Sequence, residues 1–190
     1  MARWEPGARE RLVGAAVDLF AEQGYDTTTV AQIAERAGVT RSTFFRHFPD
    51  KHEVLAAGQD TLCQLLASGI SAAPSSATPL EAVGAGLEAA AQAFTPERRD
   101  LGPKMRDAIA ASSELQERDT LKRVGLATAI TDALKIRGVP DPTASLAAEI
   151  GILALRTAHA RWSEPTNRQG LAVLARQSLH ELQTASAALS

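Results

Sequence analysis

The sequence predicts an all-α protein of about nine helices, and three observations carry that expectation. Hydrophobic residues make up 45% of the 190, but aromatic residues only 4%; with alanine frequent throughout, this favours helices over a β-sandwich. Apolar residues recur three and four apart in segment after segment, the spacing of one buried helix face. Capping residues stand before these segments, and Gly or Pro stands after them.

The elements follow in order. Met1 to Glu5 is a short arm. Pro6 suits the first position of a helix that runs to about Gln23, with Leu12, Ala16, Leu19 and Phe20 inward and Gly24 closing it. Tyr25, the only tyrosine, is expected to pack under the first turn of the next helix. Thr28 and Thr29 offer hydroxyl caps, and Thr29 with Gln32 fits a capping box. Val30, Ile33, Ala34 and Ala37 give that helix a buried face, and Gly38 ends it in a left-handed turn against which Val39 packs. Thr40 caps a helix over Arg41–Phe48, which Pro49 stops. Asp50 and Glu53 form a second capping box, starting a helix from Lys51 to about Ile70 with Val54, Leu55, Leu62, Leu65 and Leu66 on its apolar side.

Ser71 to Pro79 is a break rich in Ser, Ala and Pro. Leu80, Val83, Leu87, Ala90 and Phe94 mark the next helix. Thr95 to Pro103 reads as a charged loop with Arg98, Arg99 and Asp100, before a short helix carrying Met105 and Ile109. A longer helix spans Leu115–Ile136 and closes at Gly138. Asp141 caps a helix with Pro142 at its first position, running to about Trp162. Glu164-Pro165 breaks it, Thr166 or Asn167 caps the last helix, and Leu171, Leu174, Ser178 and Leu182 carry the chain to its end.

The pair around Gly38 is the layout of a helix-turn-helix, whose second helix enters a major groove. Phe44 and Phe48 lie four apart and anchor that helix inward, so Arg41, Ser42, Thr43, Phe45, Arg46 and His47 share its remaining surface. Between Val39 and Phe48 the only charged residues are Arg41 and Arg46, and Lys51 follows. Hydroxyls and guanidinium groups without a carboxylate suit phosphates and base edges. An amphipathic hairpin would explain the two phenylalanines equally well, but not the exposed cluster. Arg3 and Trp4 of the arm are further candidates for DNA contact, an unordered start being the alternative.

The stretch TTVAQIAERAGVTRSTFFRHFPDKHEVL, within Leu12 to Leu55, resembles the N-terminal motif of the TetR family of bacterial one-component repressors. That resemblance implies a DNA-binding domain over 1–51 and a helical regulatory and dimerisation domain over 52–190. It implies that Arg41, Ser42 and Phe45 approach base edges, while Thr29, Thr43, Arg46, His47 and Lys51 hold phosphates; Thr40, the cap of that helix, is a further candidate for DNA contact. Phe45 stands where tyrosine is usual, so contact with a thymine methyl or sugar replaces a hydroxyl bond. Ala31 replaces a longer polar residue, leaving Gln32 as the only polar candidate on the first motif helix. The implied protein is a dimeric repressor released from an inverted-repeat operator by a small apolar ligand. The alternative is a helical binding module of the same fold that lacks an inducer or answers to a protein partner.

The C-terminal part resembles, more loosely, the actinobacterial branch that includes the mycofactocin-system regulator. Arg99 to Arg106, Leu115 with Arg118, ALKIRGVPDP from Ala133 and RTAHARW ending at Trp162 carry that resemblance. It suggests an acyl-CoA effector. Cys63, Leu65, Phe94, Met105, Ile109 and His159 are candidates for an apolar pocket, plain core packing being the other reading of each. The last two helices are the candidate homodimer interface. Leu146, Ile150, Leu153 and Leu171, Leu174, Leu182 form stripes, while Leu155, Val173 and Leu179 lie off them, so both helices are apolar on more than one side.

Other classes fit poorly. A net charge of -2 allows a local basic patch but no blanket polyanion binding. One cysteine, Cys63, permits no internal disulfide, and with no apolar run of about 18 residues the chain is expected in the cytoplasm, off the membrane. The histidines, His47, His52, His159 and His180, have no metal-ligand spacing. Glu149 and His159 would stand about 15 Å apart along one helix, too far for an acid/base pair. Neither catalysis nor a cofactor is expected.

Overall fold

The structure, a computed structural model, describes residues 7–96 and 99–188. The expected arm with Arg3 and Trp4, the helix start at Pro6, Arg98 and the side chain of Leu55 lie outside the described residues. Ten helical segments and no strand appear among the described residues. They divide between two compact units, one of residues 1–57 and 100–121, the other of 58–99 and 122–190.

In the first unit, α1 (Ala8–Gln23) buries Leu12, Ala15, Ala16, Val17, Leu19 and Phe20 and ends at Gly24, whose φ of 88° is open to glycine. Next come α2 (Val30–Arg36), α3 (Arg41–His47) and the single turn α4 (Glu53–Ala56). α7 (Leu101–Ala111) and the first turns of α8 (Ser113–Ile136) complete this unit, where Ala108 and Leu115 join one core with Leu12, Phe20, Ile33, Phe44 and Phe48. The expected loop to Pro103 is shorter, because Gly102 and Pro103 already lie in the first turns of α7. Proline is tolerated there, where helical N–H groups have no partner in the ladder.

The expected continuous helix from Lys51 to Ile70 is two helices. Gly58, at φ 85°, takes the left-handed conformation and breaks the ladder between α4 and α5 (Gln59–Ala72). α5 opens the second unit, which continues with α6 (Pro79–Ala91), the rest of α8, α9 (Asp141–Trp162) and α10 (Leu171–Ala187). Thr78 and Glu81 form a reciprocal capping box at α6. Arg137 donates to the carbonyls of Ile70, Ala73 and Pro74 at 3.1, 2.9 and 2.6 Å, placing a cation at the C-terminus of α5.

Two caps fall elsewhere than expected. α9 is capped by Pro140, while Asp141 lies inside the first turn with its carboxylate 3.1 Å from Lys135. α10 starts after Gly170 without a side-chain cap, and the Asn167 amide instead accepts from Gln169 N–H.

Small residues set the helix spacing in the second unit. A Cβ on Gly69 of α5 would stand 2.6 Å from the Ala85 carbonyl oxygen and 2.7 Å from Gly86 Cα. On Gly151 of α9 it would meet Val83 Cγ1 at 2.6 Å. The core of this unit includes Leu66, Ile70, Val83, Leu87, Ile130, Leu134 and Trp162, all buried.

Gly69→Ala tests this packing. Better helix propensity favours the variant by about 1 kcal/mol, but it drives a methyl into backbone, which overpacking data put at about 1–3 kcal/mol. We expect a lower urea midpoint; a raised midpoint would mean that the two helices separate freely.

Candidate nucleic-acid interface

α2 and α3 are placed by local capping and a glycine turn. Thr29 Oγ1 accepts from Gln32 N–H, while Gln32 Oε1 accepts from Thr29 N–H at 2.8 Å, the reciprocal box expected from the sequence. The Gln32 amide oxygen is therefore used at the cap. At the end of α2, Gly38 N–H donates to Glu35 and Val39 N–H to Ala34, with Gly38 at φ 66°. These paired bonds are the Schellman arrangement, which turns the chain sharply. Thr40 Oγ1 then accepts from Thr43 N–H at 3.1 Å and starts α3.

Phe44 is fully buried and Phe48 nearly so, their rings 5.7 Å apart. Phe45 points the other way: 49% of its surface is exposed, and its ring meets Phe44 edge-on at 5.5 Å. Arg41, Ser42 and Arg46 are exposed, while Thr43 and His47 are half-buried. The structure thus brings together on α3 every sequence candidate from Arg41 to His47 except the anchors.

Two long-range pairs brace this surface. Arg11 Nε donates to the Ala37 carbonyl at 3.1 Å, and Arg36 makes two bonds to Glu22 at 3.1 and 2.8 Å. Both run between α1 and the end of α2, and neither has a local sequence signature, since the partners lie 26 and 14 residues apart. Arg9 of α1 lies over the Phe48 ring at 5.4 Å.

Lys51 sits differently from the other basic candidates. Its ammonium donates to the carbonyls of Tyr25, Asp26 and Thr28 at 2.8, 3.4 and 3.1 Å and lies 4.1 Å from the Tyr25 ring centroid. The charge is held at the turn between α1 and α2.

The apolar candidates fall in both units. Met105 and Ile109 lie on α7, where Ile109 packs on the core of the first unit. Cys63 and Leu65 lie half-buried on α5 in the second unit; burial pushes the Cys63 thiol up, with Asp60 adding to the effect. Phe94 and His159 meet at 5.3 Å between centroids, and Trp162 lies 6.3 and 5.8 Å from them. Trp162 follows His159 by three residues, a helical spacing that could have added it to the group. Arg99 lies 6.0 Å from the Trp162 ring and donates to the carbonyls of Glu164 and Asn167.

Residues 12–57 match the family described as bacterial regulatory proteins, tetR family. The HTH-type transcriptional regulator TcmR of Streptomyces glaucescens is 37% identical over 81 residues, 43% of this chain and 36% of that protein. SrpR of Pseudomonas putida, another such regulator, is 47% identical over 49 residues, 26% of this chain and 23% of that one. The chain therefore spans well under half the length of these curated relatives. Among solved structures, Thermus thermophilus FadR, a TetR-family repressor in complex with lauroyl-CoA, is 25% identical, covering 92% of this chain and 93% of that one at a TM-score of 0.55. A SmeT–triclosan complex is 25% identical, covering 95% and 91% at a TM-score of 0.62. The match to the tetR family is confined to residues 12–57, the stretch that holds α2 and α3, and the two curated relatives are described as HTH-type transcriptional regulators. Among the described residues no helix is long and apolar enough to cross a membrane.

Lys51→Met tests the internal use of the ammonium. Losing charged hydrogen bonds should lower the unfolding free energy by about 1–3 kcal/mol, read as a lower denaturation midpoint. Unchanged stability with weaker DNA binding would return Lys51 to a phosphate role.

Proposed function

We propose that this chain is a homodimeric repressor that binds an inverted-repeat operator through α3 and is released by a small apolar effector. One observation carries the reading: α3 buries Phe44 and turns Phe45, Arg41, Ser42 and Arg46 outward with no carboxylate among them. Arg41, one residue after the cap, suits bidentate bonds to guanine, and Phe45 suits a thymine methyl. Thr29, Thr43, Arg46 and His47 take the phosphates.

The dimer reading rests on α9 and α10. α9 buries Ala147, Gly151, Ile152, Leu155 and Trp162 in its own unit, yet Leu146 and Leu153 are 63% and 45% exposed, with Ile150 half-buried between them. Val173 of α10 is 42% exposed, whereas Leu171 and Leu174 are buried. The outward stripe is therefore Leu146, Ile150, Leu153 and Val173, and Leu171 and Leu174 belong to the core. A two-fold axis through this stripe would set two copies of α3 to read related half-sites.

The effector reading rests on the two ligand-bound neighbours and on the apolar candidates of the second unit around Phe94 and His159. We propose a long acyl thioester or a similar apolar molecule, in keeping with the branch resemblance.

Selection of bound duplexes from a random pool, at a stated salt concentration, tests the first claim, and lauroyl-CoA added to the resulting complex tests the last. We expect an enriched inverted repeat and release by the thioester. Salt-sensitive binding without enrichment would sink the repressor reading and leave a helical binding module. Arg41→Ala should cost about 1–3 kcal/mol of operator binding and relax the choice of one base pair; unaltered preference removes Arg41 from the reading set. Leu146→Glu with Leu153→Glu should give a monomer by sedimentation, and an intact dimer would place the interface elsewhere.

A further inference from the structure

His52 lies just before α4 and takes no part in the DNA-reading surface, yet one of its ring nitrogens faces two competing partners. Nδ1 is 2.5 Å from the Tyr25 hydroxyl and 2.8 Å from Glu114 Oε1 at the start of α8. We propose that His52 is a proton-operated latch that joins α4 to α8 and thereby positions the recognition helix; this rests on the DNA-binding reading above.

Hydrogen-bond capacity decides between the two partners. In the ring plane Nδ1 offers either a lone pair or an N–H. An ionised carboxylate only accepts, so Glu114 bonds to Nδ1 when the nitrogen carries a proton. A tyrosine hydroxyl donates to Nδ1 when it does not. Burial, reinforced by Glu114 and Asp50, pushes the Tyr25 hydroxyl well above its ordinary value, so it remains a donor at neutral pH. The proton on Nδ1 thus decides which partner is held. Protonation favours Glu114, and its loss favours Tyr25.

The charged groups around the ring tie it to three elements. From the turn between α1 and α2, the Tyr25 carbonyl accepts from Lys51, whose ammonium also lies over the Tyr25 ring. Before α4, Asp50 Oδ1 accepts from the N–H groups of His52 and Glu53 at 2.8 and 3.0 Å. On α8, Arg118 lies 3.6 Å from Glu53. A protonated His52 adds a second ion pair beside that one and binds the start of α4 to α8 at two points. Only Phe48 to Lys51 separate His52 from α3, so an ordered α4 start orders the end of the recognition helix. Order that is present before DNA arrives need not be imposed on binding, and the acid form is the tighter binder.

The test has two parts, both on the full chain. Long-range proton–nitrogen NMR reads the His52 ring without DNA. We expect the protonation of Nδ1 to depend on its carboxylate partner, so that Glu114→Gln lowers the share of Nδ1 that is protonated and shifts the midpoint downward. A ring that keeps Nδ1 protonated throughout, or a midpoint that ignores Glu114→Gln, overturns the latch. The second part measures operator affinity in a His47→Asn background, which removes the titrating group of α3 itself. Affinity should tighten about two- to fivefold between about pH 8 and about pH 5.5, the scale of a half-exposed ion pair. Glu114→Gln should flatten this response, and Tyr25→Phe should keep it. A flat His47→Asn profile, or an undiminished response in Glu114→Gln, overturns the positioning role. A ring that behaves as expected in a chain that enriches no operator supports the latch and defeats the DNA-binding reading instead.

Discussion

The burial of Phe44 and Phe48 is the constraint on which the exposed face of α3 depends. Two aromatic rings four residues apart on a helix of seven residues fix its rotation about its own axis, because turning it would expose the rings to water. With the rotation fixed, Phe45 and the two arginines have no direction left but outward. The left-handed Gly38 sets how the chain enters this helix, and the Arg11 bond to the Ala37 carbonyl holds that turn to α1. A short helix is marginal by itself, so its precision is borrowed from the core below it.

That core is assembled from distant parts of the chain. Ala108 and Leu115 share it with Leu12, Ile33 and Phe44, and α7 packs along α1. Lys104 and Asp18 form an ion pair across the same contact. Residues well beyond the stretch 12–57 therefore supply part of the floor on which α3 rests. The ring of His52 lies in this region too, between Tyr25 and Glu114.

The second unit solves a different problem. Its helices carry many alanines and few aromatic residues, so stability depends on close backbone approach rather than on large side chains. Gly69 against the Ala85 carbonyl and Gly86 against the Leu66 carbonyl are two such approaches, and Gly151 admits the Val83 side chain. With small residues filling the inner side of α9, the larger Leu146 and Leu153 are left outside, and the proposed dimer gives them a use. The same economy of aromatics makes the contact of Phe94, His159 and Trp162 the main ring cluster of the unit.

The sequence by itself determined the features that act over three or four residues. The box of Thr29 and Gln32, the turn at Gly38, the cap at Thr40, the anchoring pair Phe44 and Phe48, and the stop at Gly138 are all local, so spacing alone reveals them. Tertiary structure decided what depends on partners far along the chain. It directed the Lys51 ammonium onto the carbonyls of the turn before α2, and it joined Glu114 to His52 and Arg118 to Glu53. It also divided the helix expected from Lys51 at Gly58, a residue that a helical pattern tolerates until its φ is known. The choice between Leu171 inward and Leu146 outward had the same origin: both helices are apolar on two sides, and periodicity cannot say which side meets the core. Which side is buried is settled by the neighbours that pack there, and those neighbours lie tens of residues away.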